Sequence, residues 1–535
     1  MSNGSSDAIA PNAQRLLWAG FMAILAAGVG FAIRGGILGD WGAQFGFTGA
    51  ELGTITGGGL TGFGIVILLG GLLADKLGYG KLVALAFFCH LSSAVLTFFA
   101  TAAFGAGGEA GKHAAYQCLF WGTFLFAIGN GTLEAVLNPL VATLFPSNRT
   151  HYLNILHAGW PAGLVLGGLS NVFLGNTAEH KGLRWEYQLG LFLLPTILYG
   201  LMCLGQRFPK SEASERGLSI GQMLKDVGMT GGAVIAVLLV LFFQNDLGLS
   251  PVVAYVIGAA IVAAIGFVTN WSMGAWLLAL LLVTHGLVGT VELGTDSWIQ
   301  NITGNIIDPK SGRWLFVYTS TVMFLLRFVA GPIVHRISPL GLLFISALFG
   351  IAGLQLTSRS EGTGMILIAL AVYGMGKTFF WPTMLAVVGD RFPRSGAIAI
   401  SCMGGMGMLA AGLIGGPGIG YFKDRYAGQE LLAADPKVHA EYVASKASPF
   451  PLPVLDAAKG LDGVKLGEVK NTPVEKQTED QKKVAAADLK GDRLTLQTVS
   501  LVPAAMAVIY LLLFLYFKSS GGYKVIHIGD VEASK

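Results

Sequence analysis

Charged residues are scarce in this sequence. Asp, Glu, Lys and Arg make up only 12% of its 535 residues, whereas a soluble globular protein has about 25%. Hydrophobic residues make up 53%, and the mean hydropathy is +0.63. This composition excludes an ordinary soluble protein and indicates a chain that crosses a membrane many times.

Cysteine and the usual signatures of catalysis are also scarce. The four cysteines stand singly in apolar segments, without the spacing of a metal site, so we expect free thiols. The sequence contains no nucleophile elbow, no phosphate-binding loop and no metal-ligand spacing, so we expect neither an enzyme nor a cofactor or metal. The net charge of +4 is small for this length and predicts no nucleic-acid partner.

Long apolar runs fill most of the chain. Runs of about 20 residues can cross a bilayer, and there are about fourteen of them, which predicts an all-α polytopic membrane protein. The first run is expected to be retained, because no signal-peptide cleavage site follows the polar start. The first six lie near 16–37, 52–74, 81–103, 117–143, 152–174 and 187–206. An inserted pair lies near 229–244 and 251–269, and the last six near 274–300, 314–334, 340–357, 363–388, 396–421 and 500–517.

The order of these runs predicts a division of the chain. We expect a cytoplasmic N-terminus (1–15), a six-helix bundle (16–206), a cytoplasmic loop (207–228), a transmembrane hairpin (229–270), a second bundle (271–421 and 500–518), an extracytoplasmic loop (422–499) and a cytoplasmic tail (519–535). Basic residues in the short loops place both termini in the cytoplasm. The charged loop 422–499 is expected to form a few surface helices and otherwise a mobile excursion, an elaborated loop rather than a binding domain. We expect a monomer in the plasma membrane, the inner membrane if the source is a bacterium.

A glycine-rich loop between the second and third runs carries the first resemblance. "GGLLADKLGYGK" resembles the signature loop of the major facilitator superfamily, whose fold has two six-helix bundles. The resemblance implies a gate at one membrane face, formed here by Asp75, Lys76, Gly78 and Lys81. Asp75 is expected to accept hydrogen bonds from a helix N-terminus or to pair with a base between the bundles.

The equivalent loop of the second half, "GPIVHRISPLG" (331–341), keeps a gating candidate, Arg336, but has His335 in place of the acid. The gate is therefore expected to be asymmetric. Segments 132–146, 153–168, 326–339 and 376–393 are similar to helices 4, 5, 8 and 10 of the fucose/proton symporter family and its sugar-transporting relatives. The likeness covers most of both bundles, but not the hairpin or the 422–499 loop.

Polar residues recur at helical spacing inside the apolar runs, where such groups usually face a cavity or a partner. Asn130, Glu134 and Asn138 are four apart and form one stripe, and a second stripe contains four residues of the run 274–300. The second stripe consists of His285, Glu292, Asp296 and Gln300. The resemblance implies that helices 1, 4, 7 and 10 line a cavity, so the two stripes are expected to share it.

Other polar and aromatic residues complete the candidate site. Tyr373, Lys377 and Trp381 lie four apart, and an aromatic ring beside a cation suits a sugar. His157 and Trp160 are further substrate-contact candidates, and Arg327 is a candidate gating or structural partner. For each of these side chains, helix packing or a salt bridge is the competing interpretation.

Several residues are candidates for coupling transport to an ion. The resemblance places Gly35, beside Arg34, where relatives carry a second acid, so coupling through the first helix cannot be carried over. The coupling candidates are Glu134, Glu292, Asp296 and Arg34. Alternatively, Arg34 lies against Glu134 and keeps it ionised, which would prevent Glu134 from carrying a proton.

These features predict a secondary transporter that moves a small polar solute, a sugar by resemblance, through alternating access. Proton symport is the expected coupling, with Na⁺ as the alternative ion, and the lipid bilayer is the surrounding partner. Two alternatives remain. The Met-rich segment 402–416 would suit an exporter of amphipathic compounds, and the loop 422–499 would suit a membrane sensor that transports nothing.

Overall fold

Long helices make up most of the computed structural model, which describes residues 10–47, 49–175, 182–307 and 309–526. Twelve helices in these ranges are long and apolar enough to cross a membrane. Two less apolar helices, Arg149–Leu174 and Pro309–Arg327, pack against each other at the centre. Twelve and two make fourteen long helices, so the predicted all-α architecture is confirmed.

We number the fourteen helices along the chain. The first bundle contains α1 (Ala13–Gly36), α2 (Gly49–Leu77), α3 (Tyr79–Phe104), α4 (Gly108–Leu144), α5 (Arg149–Leu174) and α6 (Trp185–Cys203). The hairpin contains α7 (Gly228–Asn245) and α8 (Pro251–Val268). The second bundle contains α9 (Trp276–Ile306), α10 (Pro309–Arg327), α11 (Ala330–Arg359), α12 (Thr363–Arg391), α13 (Pro393–Ala434) and α14 (Glu479–Ser519).

Four helices of the second bundle are interrupted, among them α14, which breaks at Ser500 between Val499 and Leu501. α11 consists of two helices joined at Ser338, whose φ of 66° is unusual for a residue with a side chain, and Pro339 follows it. α12 is broken after Lys377 and resumes at Phe380, and α13 contains a π-helical turn over Ala411–Gly415. Such breaks leave backbone groups without helical partners, and polar side chains can bind there.

Glycine sets the distance between neighbouring helices. A Cβ on Gly163 of α5 would lie 2.4 Å from the carbonyl oxygen of Leu25 in α1. A Cβ on Gly289 of α9 would lie only 1.9 Å from the carbonyl oxygen of Gly407 in α13. Because no other residue tolerates these approaches, small residues explain much of the tight packing within each bundle.

The inserted hairpin lies beside the second bundle. α7 packs against α8, α9 and α13, whereas most of α8 remains exposed on the surface of the chain. Its exposed side chains, such as Val252 and Val256, are apolar, as expected for a helix that faces lipid.

The segment 422–499 is more regular than the mobile excursion that we expected. α13 and α14 both continue into it and pack side by side, with the short helices Pro436–Tyr442 and Gly463–Asn471 between them. These elements enclose a small apolar core that includes Leu431, Val469 and Val484. The predicted surface helices are therefore present, but as one ordered outer subdomain.

Candidate functional site

A cavity of about 810 Å³ lies between the two bundles. Its walls come from the end of α1, the middle of α2 and α4, the second half of α5, the later turns of α9 and the start of α10. The cavity therefore occupies one half of the molecule. With the N-terminus in the cytoplasm, as the basic loops predict, this half faces the outside. Five predicted site residues line the cavity: Arg34, Asn130, Trp160, Asp296 and Gln300.

The cavity wall combines aromatic rings with polar groups. Phe31 and Trp160 pack at a centroid distance of 5.4 Å, and Phe63, Phe126 and Phe316 add further apolar surface. The hydroxyl of Thr123 and Oδ1 of Asn171 are buried and have no hydrogen-bond partner among the described residues. The cavity can therefore hold a small molecule with both an apolar face and polar groups.

Arg34 is a buried cation in this wall. Its guanidinium donates to the carbonyl oxygen of Gly30 at 3.2 Å and to the hydroxyl of Ser93 at 3.0 Å, and it lies over the ring of Phe126 at 3.9 Å. No described carboxylate pairs with it, and Glu134 has other partners. The alternative of an Arg34–Glu134 ion pair was therefore wrong.

Glu134 lies beneath the cavity in a chain of polar side chains. The amide of Asn138 donates to Glu134 Oε2 at 2.6 Å, and Asn138 Oδ1 lies 2.7 Å from His157 Nε2. The imidazole of His157 is 4.0 Å from the Glu134 carboxylate, at the limit of an ion pair. The first predicted stripe thus begins at the cavity with Asn130 and continues into the closed interior.

Arg327 joins the two bundles next to this chain. It pairs with Glu292 at 3.3 Å, donates to the carbonyl oxygen of Thr378 at 3.1 Å, and donates to the carbonyl oxygen of His157 in the first bundle. Because its three partners belong to α9, α12 and α5, Arg327 ties both bundles together at the centre.

The other polar residues of the second bundle also have partners. Lys377 forms an ion pair with Asp296, and the hydroxyl of Tyr373 donates to the carbonyl oxygen of Val291 at 3.0 Å. Trp381 is buried against His285, with a centroid distance of 4.6 Å. The break in α12 after Lys377 lies beside these contacts.

Several predicted cavity residues lie behind the wall. The two stripes were expected to share the cavity along their length, but only Asn130, Asp296 and Gln300 reach it, because the bundles close together below this level. The buried candidates are Asn138, His157, Tyr373, Lys377, Trp381, Glu134, Glu292 and His285. The Met-rich segment of α13 is also buried, so it contributes no cavity surface.

The signature loop lies at the opposite end, where the bundles touch. Asp75 Oδ2 accepts a hydrogen bond from the backbone N–H of Ala397 at the start of α13, at 3.1 Å, and Oδ1 accepts one from Ser211 at 2.6 Å. Gly78 has a φ of 88°, a conformation that glycine adopts without strain, and it separates α2 from α3. Asp75 therefore caps a helix of the other bundle.

The remaining gating candidates lie on the surface. Lys76 and Lys81 are exposed beside the signature loop, and Arg336 is exposed near the Ser338 kink of α11. Neither Arg336 nor His335 forms an ion pair within the described ranges, whereas Asp75 makes contact between the bundles. The contacts at this end are thus unequal in the two halves, in line with the expected asymmetry.

A buried ion pair at the closed end was missed from the sequence. Arg149 at the start of α5 pairs with Asp390 at the end of α12 at 3.1 Å. Tyr523 from the C-terminal segment also donates to Asp390, at 2.9 Å. The segments "LFPSNR" and "DRFPRS" repeat a Phe-Pro turn next to these residues in both halves, and that repeat could have revealed the pair.

Metal binding has no basis in the described part of the chain. No group of three His, Cys, Asp or Glu side chains within it is close enough to hold an ion. The candidate site is instead a cavity above a layer of buried ion pairs and hydrogen bonds.

No protein-family model and no curated protein matches this sequence, but many solved structures match the fold. The fucose:proton symporter of E. coli has a TM-score of 0.53 and 15% identity, over 92% of this chain and 98% of that one. A human organic anion transporter has a TM-score of 0.56 and 13% identity, over 94% and 100%. A proton:xylose symporter has a TM-score of 0.53 and 14% identity, over 75% and 86%. At these identities the likeness establishes the fold, which is that of the major facilitator transporters.

Proposed function

We propose that this protein is a secondary transporter that moves a small polar solute across the membrane by alternating access. The observation that carries this proposal is the cavity of about 810 Å³ between two bundles that are closed at the opposite end. Asp75 and the Arg149–Asp390 pair close that end through contacts between the bundles. Such contacts can break and reform as the bundles rock about a central site.

A sugar or sugar derivative is the solute that we favour. The cavity volume lies in the range of small-molecule sites, about 300–1,000 Å³. Trp160 and Phe31 provide apolar faces, while Asn130 and Gln300 provide amides that can bind hydroxyl groups. Two of the similar structures are sugar symporters, for fucose and for xylose.

Glu134 is the coupling residue that we favour, with H⁺ as the coupling ion. Of the three acids, Glu292 and Asp296 have permanent cations as partners, namely Arg327 and Lys377. Glu134 accepts a hydrogen bond from a neutral amide instead and lies 4.0 Å from His157, while Arg327 acts on it only from a longer distance because that guanidinium pairs with Glu292. A buried carboxyl group that is not paired with a cation gains more from binding a proton, because its charge is less fully compensated.

The test is solute uptake into proteoliposomes under an imposed pH gradient. Glu134→Gln mimics the protonated acid and should abolish accumulation driven by the gradient. Exchange of labelled solute across the membrane should continue, because exchange needs no proton release. The matched control is Glu361→Gln, an exposed acid far from the cavity, which should accumulate solute normally.

Unchanged accumulation in Glu134→Gln would remove Glu134 as the coupling site. An imposed sodium gradient that drives uptake in place of the pH gradient would instead identify Na⁺ as the coupling ion. Absence of both uptake and exchange, in protein whose folding is verified by its melting curve, would contradict solute transport itself.

A further inference from the structure

We propose that the transported solute is a small organic anion whose carboxylate binds to Arg34 in the cavity wall. This inference rests on the proposed transport function and narrows its substrate to a class. A hydroxylated carboxylate, such as a sugar acid, combines that charge with the polar body already favoured.

Arg34 provides unused hydrogen-bond donors next to the cavity. A guanidinium has five N–H groups, and the described contacts of Arg34 are one bond each to Gly30 and Ser93. Its Nε is buried without a hydrogen-bond partner in the part of the chain that the structure describes, and the residue is only 4% exposed. A planar guanidinium binds a carboxylate through two parallel bonds, which gives both strength and orientation.

Charge balance around Arg34 favours an anion, because the two carboxylates in the cavity wall are engaged elsewhere: Asp296 pairs with Lys377, and Asp40 has an interaction of its own. The other buried cations at the centre and at the closed end, namely Arg327, Lys377 and Arg149, each have a carboxylate partner. Arg34 has none among the described residues. Because a buried charge without a partner is costly, a ligand that supplies the missing negative charge should bind strongly there.

The surroundings of Arg34 leave room for that ligand. Gly35, the next residue, also lines the cavity, and a Cβ on it would meet no atom within 4 Å, so the wall has open space at this position. Thr123 and Asn171 line the same cavity, and each carries a buried oxygen that has no hydrogen-bond partner within the described ranges. Arg313 adds a second cation to the wall. The carboxylate would lie on Arg34 while the hydroxyl groups reach these oxygens.

The test compares carboxylates with neutral molecules of the same shape. The probes are D-galacturonate with D-galactose, D-gluconate with D-glucitol, and L-lactate with propane-1,2-diol. The purified full-length chain is melted in detergent with each probe, and the probes are then assayed in proteoliposomes. We expect at least one carboxylate to raise the melting temperature and to be transported, while its neutral counterpart does neither.

Variants connect that result to Arg34. Arg34→Gln should weaken binding of the stabilising carboxylate by about tenfold or more, because a charge-assisted bidentate contact is lost. Arg34→Lys keeps the charge and should retain part of the binding. The control is Arg15→Gln, since Arg15 is an exposed cation far from the cavity that donates to backbone oxygens near the end of α6. Melting curves without ligand verify that each variant is folded.

The outcomes separate this inference from the proposed function. Stabilisation and transport of neutral probes alone would overturn the anion and leave solute transport standing. Equal carboxylate binding in Arg34→Gln and in the unmodified chain would also overturn it. If no carboxylate stabilises the protein, the inference fails, and if no probe of either class is transported, the proposed transport of a small polar solute fails with it.

Discussion

Loss of the Asp390 carboxylate should open the closed end, where the two bundles touch. Asp390 and Arg149 have side chains that are 6% and 8% exposed, so their ion pair is nearly buried. In Asp390→Asn the neighbouring Arg149 keeps its charge but loses its partner. That penalty applies while the bundles are closed, because water can solvate Arg149 once they separate.

The size of the effect follows from the burial of the pair. Removing one partner of a buried ion pair costs about 3–5 kcal/mol. The amide of asparagine can still accept a hydrogen bond, so we take the lower value. At about 1.4 kcal/mol per factor of ten, 3 kcal/mol shifts the equilibrium between closed and open ends by about 150-fold.

The assay is the distance between spin labels at this end. Labels at Lys81→Cys on α3 and Lys518→Cys on α14 sit on exposed positions in different bundles. The four native cysteines, which are free, are replaced by alanine. The distance distribution should gain a longer component in Asp390→Asn, and the ratio of that component to the shorter one should rise by about 150-fold. Arg391→Gln, whose side chain bonds to a backbone oxygen of the C-terminal segment, is the neighbouring control.

A second variant decides whether the ion pair is the cause. Arg149→Gln combined with Asp390→Asn leaves no buried charge at this place, so the double variant should be closer to the unmodified distribution than Asp390→Asn alone. An unchanged distance distribution in Asp390→Asn would refute the reasoning. It would also be refuted if the double variant opened by the sum of the effects measured separately in Arg149→Gln and in Asp390→Asn.

Two further predictions concern stability. Gly289→Ala places a methyl group 1.9 Å from the carbonyl oxygen of Gly407, so it should lower the stability by about 1–3 kcal/mol or more and lower the melting temperature in detergent. The control Gly364→Ala places its methyl group where no atom lies within 4 Å, so it should melt like the unmodified chain. Equal melting of both variants would contradict the packing argument. Asp492→Asn breaks the ion pair with Lys423, in which the carboxylate is fully buried and the lysine side chain is 12% exposed. The pair fixes the outer subdomain, so trypsin should cut within 422–499 about 100-fold faster. The pair of Glu479 with Lys482 is exposed, and water screens it, so Glu479→Gln should change cleavage little. An equal change in both variants would contradict a role for burial.

Hydropathy and helical spacing were enough to predict the architecture. Each membrane helix must satisfy its backbone hydrogen bonds internally and present apolar side chains to lipid, so the fourteen helices were readable as apolar runs. Helical periodicity likewise placed Asn130, Glu134 and Asn138 on one face of α4. The signature loop predicted that Asp75 would either accept hydrogen bonds from a helix N-terminus or pair with a base between the bundles, and in the structure it accepts one from the backbone N–H of Ala397 at the start of α13.

The sequence alone determined which charges lie at membrane depth, but only the tertiary structure decided their partners. Arg327 pairs with Glu292 and Lys377 with Asp296, whereas Arg34 has no described acid beside it. Pairing depends on the depth and rotation of helices far apart in the chain, and close contacts such as Gly289 against Gly407 set both. A hydropathy pattern is local to one helix and contains no information about its neighbours, so Arg34 could be recognised as an anion-binding candidate only after the bundles were assembled.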